Sequence, residues 1–113
     1  MLEHNYTPNR GDIIWLNFNP QSGREQMGRR PALVISPKSY NSKVGLVLVC
    51  PITSQIKGYP FEVLLPADLQ TQGVVISDQL KSLDWRHRNA EFIESVSAEL
   101  CQEVIAKFSV LIR

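Results

Sequence analysis

Six short apolar runs rich in Val, Ile and Leu, each closed within about a dozen residues by Pro, Gly, Asn or Ser, constrain this chain more than any other feature. Runs of this kind form strands and leave little room for long helices. In "GDIIWLNFNP", Ile13 and Trp15 fall on one side of a strand and Ile14, Leu16 and Phe18 on the other, so both faces are expected to be covered. "RPALVIS" is a second strand opened by Pro31, which a strand tolerates at its first residue. "SPKSYNSKVG" has the Pro, Asn, Ser and Gly of a loop, and "GLVLVCPITS" is a third strand with Pro51 marking a bulge or an edge. "FEVLLP", "GVVISDQLKSLDW" and "AEFIESV" continue the series, which predicts a mainly β (α+β) fold built as a small antiparallel barrel.

The ending breaks the pattern. After Ser97, a candidate N-cap, Cys101, Val104, Ile105, Phe108, Leu111 and Ile112 recur at spacings of three and four, predicting an amphipathic helix packed on the barrel. Glu99 and Glu103 near its start and Lys107 near its end suit the helix dipole, and Glu103 and Lys107 are spaced as an i, i+4 pair. With 113 residues, 43% of them hydrophobic, the chain can build one core and is read as a single domain over residues 1–113.

No apolar run approaches the ~18 residues of a membrane span, and "MLEHNYTPNRGD" lacks the order of a secretory signal, so a cytoplasmic protein is expected. Cys50 and Cys101 each lie in an apolar segment and are expected to be reduced core thiols. Together with His4 and His87 they show none of the short spacings of zinc sites, so neither a metal nor a cofactor is expected.

Charge is unevenly spread. Residues 1–60 hold seven Lys or Arg against three Asp or Glu, and residues 61–113 hold five against eight. The basic excess centres on "GREQMGRR", residues 23–30. Arg24, Arg29 and Arg30 offer planar forks matched to phosphate oxygens, while Glu25 beside them adds what a mere phosphate-binding loop does not need, a base. Cleavage of a phosphodiester needs both a base for the attacking oxygen and cations for the developing charge. With RNA the 2′-hydroxyl can attack, so no metal-activated water is required. A solvated hairpin connection is the ordinary alternative, and composition does not choose between the two.

Other polar residues sit at strand ends. Thr53 and Ser54 close the third strand, Lys57 opens "KGYPFEV", and "SDQ" interrupts an apolar run. Thr53 and Lys57 have ordinary readings as a turn residue and a surface charge. Asp78 and Gln79 must either be hydrogen-bonded within the barrel or face a ligand at its rim. Tyr40, Tyr59 and Trp85 are candidates to stack on unpaired bases, although most of the aromatics are expected in the core, as Trp15 and Phe18 are.

In their order along the chain, "GDIIWLNFNP", "GREQMGRRPALVISP", "YNSKVGLVLVCPITSQIKGYPFEVLL", "DQLKSLDWR" and "KFSVLI" resemble the MazF/PemK/Kid family of toxins. That resemblance implies an SH3-like barrel with a carboxy-terminal helix, a homodimer, and metal- and ribosome-independent cleavage of single-stranded RNA at short sequences. The expected products are a 2′,3′-cyclic phosphate and a 5′-hydroxyl, and the expected partner is an antitoxin with a disordered acidic tail. Residue by residue it implies Glu25 as general base, Arg30 as general acid or transition-state clamp, Thr53 as a contact to the scissile phosphate, and Asp78 and Gln79 as a polar pair near the substrate or its bases. Arg24, Arg29, Ser54 and Lys57 are taken with them as RNA-binding. Two departures stand out. Arg29 occupies a position where the MazF branch has histidine, and Ile76 one where the Kid branch has arginine. The competing readings are a non-catalytic gyrase inhibitor resembling CcdB, which would act through its helix end, and a catalytically inactive RNA-binding module.

Overall fold

The computed structural model describes residues 6–19 and 28–113. Seven strands and two helices follow in order: β1 (Asp12–Asn17), β2 (Arg29–Val34), α1 (Lys38–Val44), β3 (Leu46–Thr53), β4 (Glu62–Leu64), β5 (Val74–Ile76), β6 (Lys81–Asp84), β7 (Glu91–Ser95) and α2 (Ala98–Ser109). All pairings are antiparallel, in the order β4-β5-β3-β2-β1-β7, with β6 also on β3. The mainly β, antiparallel expectation holds. No pairing joins β4 to β7 among the described residues, so the strand pairings form an open path.

Alternation along the strands builds two cores. Ile13, Leu33, Cys50, Ile52 and Val75 face α2 and pack with its Leu100, Cys101 and Val104. Ile14, Leu16, Phe18, Ala32, Val34, Val47 and Val49 pack on the opposite side with Trp85. Each large apolar side chain buried this way contributes about 1.5–3 kcal/mol, which explains why the strands of a short chain carry apolar residues on both faces. Both cysteines are buried free thiols, as expected.

The two strand prolines sit where a missing N–H costs least. Pro31 lies inside β2, which starts two residues earlier than expected, and pairing with β3 begins only at Ala32. Pro51 lies where the second edge of β3 changes partner, from β6, recorded as far as Val49, to β5, recorded from Ile52.

Two expectations need correction. "SPKSYNSKVG" is not wholly loop, because α1 occupies Lys38–Val44 and ends on Gly45 in the left-handed region at φ 80°. Seven residues do not make a stable helix alone. Asn41, fully buried, holds this one by donating to Pro8 O at 2.8 Å and Ser36 O at 3.0 Å, while its backbone carbonyl accepts from Trp85 Nε1 at 3.0 Å. At the other end, Ser97 caps α2 by accepting from Leu100 N at 3.2 Å, but the helix stops at Ser109. Val110, Leu111 and Ile112 are exposed beyond it, having no core to enter, and Lys107 Nζ reaches Pro60 O at 2.9 Å.

Candidate RNA-handling site

The end of β3 brings the expected site residues together. Antiparallel pairing of β2 with β3, which ends at the Ala32–Pro51 pair, leaves the start of β2 at Arg29 beside the end of β3 at Thr53. Thr53 is buried, and its hydroxyl accepts from Gln55 N at 3.2 Å. Its backbone is fixed from below by Gly73, at φ 118°, where a Cβ would lie 2.1 Å from Thr53 O. Only glycine allows that approach.

On one side of Thr53 lies a cleft of about 670 Å³ lined by Thr53, Gln55, Lys57, Tyr59, Asp78 and Gln79. Its loop wall is shaped by Glu62, whose carboxylate accepts from the backbone N–H groups of Lys57 at 3.1 Å, Gly58 at 3.0 Å and Tyr59 at 3.3 Å. The Tyr59 hydroxyl donates to Asp78 Oδ2, and that hydrogen bond holds the phenol above its ordinary pKa. Asp78 Oδ1 is buried and is the only such side-chain atom without a partner among the described residues. Ser77 beneath it is tied down, its hydroxyl donating to Phe61 O at 2.5 Å. Burial first, and then the Asp78 carboxylate, pushes the Cys50 thiol up to about 12, so it is inert as a nucleophile.

On the other side is a smaller cleft of about 400 Å³ lined by Arg29, Arg30, Ser54, Trp15, Thr71 and Ile93 among others. Trp15 is 41% exposed here, contrary to the expectation that it belongs to the core, because the α2 core ends at Ile13 along that face of β1. Glu94 braces the cleft's far wall, accepting from Thr71 N and Oγ1 at 2.7 Å each and from Gln70 N at 3.1 Å. Desolvation raises the Glu94 pKa, but these hydrogen bonds outweigh it and leave the group below its ordinary value.

Arg29 is already engaged. Its guanidinium is paired with Glu91 and donates to Asn89 O at 2.9 Å, so its charge is offset before any RNA arrives. Trp85, a candidate for stacking, is instead in the core, 8% exposed and covered by the Arg86 guanidinium 4.8 Å from its ring centroid. Tyr59 remains open at 45% exposure. Arg24 and Glu25 lie outside the described residues.

Thr53, Lys57, Asp78 and Gln79 therefore share one cleft, Arg29, Arg30 and Ser54 the other, with the β3 end between them. Sequence reasoning missed Glu62, Glu94 and Trp15. Glu62, four residues after Gly58 in "KGYPFE", was visible as a loop-closing carboxylate, whereas nothing local marks Glu94, whose partners lie 23 and 24 residues away. Among the described residues, no three of the His, Cys, Asp and Glu side chains gather as a metal site, and no helix is long and apolar enough to cross a membrane. Cations on one side of the β3 end and a hydroxyl on the other, with a cleft of phenol, amide and carboxylate, are groups of the kind that contact a phosphodiester chain.

Comparison with known proteins bears on the same region. Residues 9–112 match the model of a family described as PemK-like, MazF-like toxin of type II toxin-antitoxin system. The chain is 49% identical over 107 residues to endoribonuclease toxin MazF of Escherichia coli K12, covering 95% of this chain and 96% of that one. It superposes on the crystal structure of MazF from Deinococcus radiodurans with a TM-score of 0.93 at 53% identity, covering 96% and 98% of the two chains. A crystal structure of MazE-MazF from the same organism matches with a TM-score of 0.85 at 48% identity, covering 96% and 97%.

Proposed function

The chain belongs to the PemK-like, MazF-like toxins of type II toxin–antitoxin systems and is an endoribonuclease of that family, and on this premise we propose how its own residues cut RNA. The whole chain acts as one cytoplasmic toxin domain, its sheet taken as the family's small SH3-like barrel. The substrate is single-stranded mRNA. Glu25 takes the proton of a 2′-hydroxyl, the freed oxygen attacks the adjacent phosphorus, and the bond to the 5′-oxygen breaks, leaving a 2′,3′-cyclic phosphate and a 5′-hydroxyl. Arg30 clamps the phosphate oxygens as negative charge builds, and Thr53 fixes one of them. With a pKa of about 13, an arginine is a poor acid at neutral pH, so Arg30 is assigned the clamp and not the delivery of a proton to the departing 5′-oxygen.

What supports this reading is that β2 starts at Arg29 beside the β3 end at Thr53, with Arg30 and Thr53 lining the two clefts that flank that end. Arg24, Ser54, Lys57, Asp78 and Gln79 hold the flanking RNA, and Arg29 joins them once it exchanges Glu91 for a phosphate. Two copies of the chain pair to extend the groove. A cognate antitoxin resembling MazE, with a disordered acidic tail, covers it, and the interaction weakens as salt screens the arginines.

The test is a long RNA incubated with purified protein in EDTA, followed by mapping of the ends. Discrete cuts bearing 5′-hydroxyls, lost in Glu25→Ala and Arg30→Ala, are expected. Arg30→Lys should cut at least about 100-fold more slowly, because a point charge cannot form the bidentate fork, and undiminished cleavage would exclude that role. Intact RNA together with inhibited DNA supercoiling would point instead to a non-catalytic gyrase poison.

A further inference from the structure

Lys57, assigned above to the flanking RNA, stands on a loop whose shape is set by a different residue. We propose that Glu62 is a positioning residue for RNA binding: its carboxylate holds the β3–β4 loop, residues 54–61, so that the Lys57 ammonium meets a phosphate of the RNA, and Lys107 of α2 holds the same loop from its other end. The proposal rests on the ribonuclease reading and adds two residues that act through Lys57.

Three successive N–H groups converge on Glu62, that of Lys57 on Oε2 at 3.1 Å and those of Gly58 and Tyr59 on Oε1 at 3.0 and 3.3 Å. Gly58 supplies the left-handed residue of this turn at φ 76°. Successive N–H groups gathered in this way form a nest, a concavity that binds anions and recurs in phosphate sites. Here the anion is the chain's own carboxylate. A phosphate of the RNA is therefore left to the side chains lining the cleft, of which Lys57 alone is cationic among the described residues. Glu62 is itself held, pairing with Ile76 as the first residue of β4 and donating its N–H to Tyr59 O at 3.0 Å. Beyond the nest, Pro60 O accepts from Lys107 Nζ at 2.9 Å and Phe61 O from Ser77 N at 3.0 Å. Each residue from Lys57 to Phe61 thus has a backbone group tied down, although Lys57 to Pro60 are exposed. A lysine whose backbone is fixed beforehand loses less freedom when its ammonium binds.

Charge alone predicts the opposite of positioning. A carboxylate that lines an RNA cleft repels phosphate, so neutralising it should tighten binding. In Glu62→Gln, however, an NH₂ replaces one oxygen and faces an N–H of the loop, donor against donor, and the nest is partly released.

The experiment starts from an RNA whose cleavage site has been mapped with wild-type protein. Kd is measured over a range of salt concentrations on the same RNA carrying a 2′-deoxynucleotide at the cut, at a temperature where urea unfolding shows each variant to be folded. Glu62→Gln should bind about 5-fold more weakly at low salt, with the slope of log Kd against log salt shallower by about 0.7, as one lost phosphate contact on a single strand requires. On cleavable RNA the loss should appear in KM, with kcat within about 2-fold of wild type. In a Lys57→Ala background the same substitution should change Kd by less than about 2-fold, because the group it positions is gone. Lys107→Met should weaken binding about 3-fold, again only while Lys57 is present, so the question is answered even if Glu62→Gln does not fold. Binding by Glu62→Gln that is unchanged or tighter, or a loss of equal size with and without Lys57, would overturn the proposal and leave the ribonuclease reading intact. Failure of wild-type protein to cut any RNA would remove both.

Discussion

At the scale of single residues, the site depends on one that carries no functional group. Gly73 approaches Thr53 so closely that an added Cβ would lie 2.1 Å from Thr53 O and 2.8 Å from Thr53 C, both backbone atoms that cannot swing away. Gly73→Ala should therefore displace Thr53. We expect destabilisation of roughly 2 kcal/mol or more in urea unfolding, with a loss of cleavage that stays when the assay is run well below the melting temperature. Cleavage recovering fully in the cold would show that Gly73 matters to stability alone. Of the candidate site, the polar residues at strand ends were visible in the sequence because they interrupt apolar runs: Thr53, Asp78 and Gln79 stand out for that reason. Gly73 was visible only as a turn, and the engagement of Arg29 by Glu91, 62 residues away, leaves no local trace.

At the scale of elements, strands declared themselves because burial on both faces writes unbroken apolar runs. Helix α1 did not, because its stability comes from one buried side chain. Asn41 donates to Pro8 O and Ser36 O, and nothing in "KSYNSKV" alone favours a helix over a turn. Helix α2 was readable from its period and its cap, but its end was overestimated, since periodicity continues through Leu111 and Ile112 after the core has ended. The cap can be tested separately from packing. Ser97 Oγ accepts from Leu100 N while its side chain lies outside the core, so Ser97→Ala should cost about 1 kcal/mol in urea unfolding without altering the m-value. A change below about 0.3 kcal/mol would mean that packing of Leu100, Cys101 and Val104 alone fixes the start of the helix.

At the scale of the whole molecule, protonation divides into groups that secure the fold and groups that act on substrate. On the acid side, hydrogen bonds from Thr71 and Gln70 hold Glu94 below its ordinary value of 4.5. A lowered carboxylate contributes stability that is complete above the unfolded value and is lost as pH falls through the folded one. On the alkaline side, burial raises Cys50 from 9.0 to about 12, and burial with the Asp12 hydrogen bond raises Tyr6 above its ordinary 10.0. Groups raised in the folded state contribute fully below their unfolded values, so stability should hold up to about pH 9 and fall as pH climbs towards 12. Urea unfolding across pH should therefore show a plateau between about 5 and 9, with Glu94→Gln flattening the acid limb and Cys50→Val the alkaline limb. A Cys50→Val limb as steep as wild type would assign the alkaline loss to the other raised groups, Tyr6, Tyr59 and Cys101. Within the plateau the folded population is constant, so any change of cleavage rate with pH there belongs to the reacting groups. With Glu25 as the base, Glu25→Gln should lose cleavage at every pH of that plateau while its urea unfolding stays that of wild type, and a variant that still cuts would take that role from Glu25.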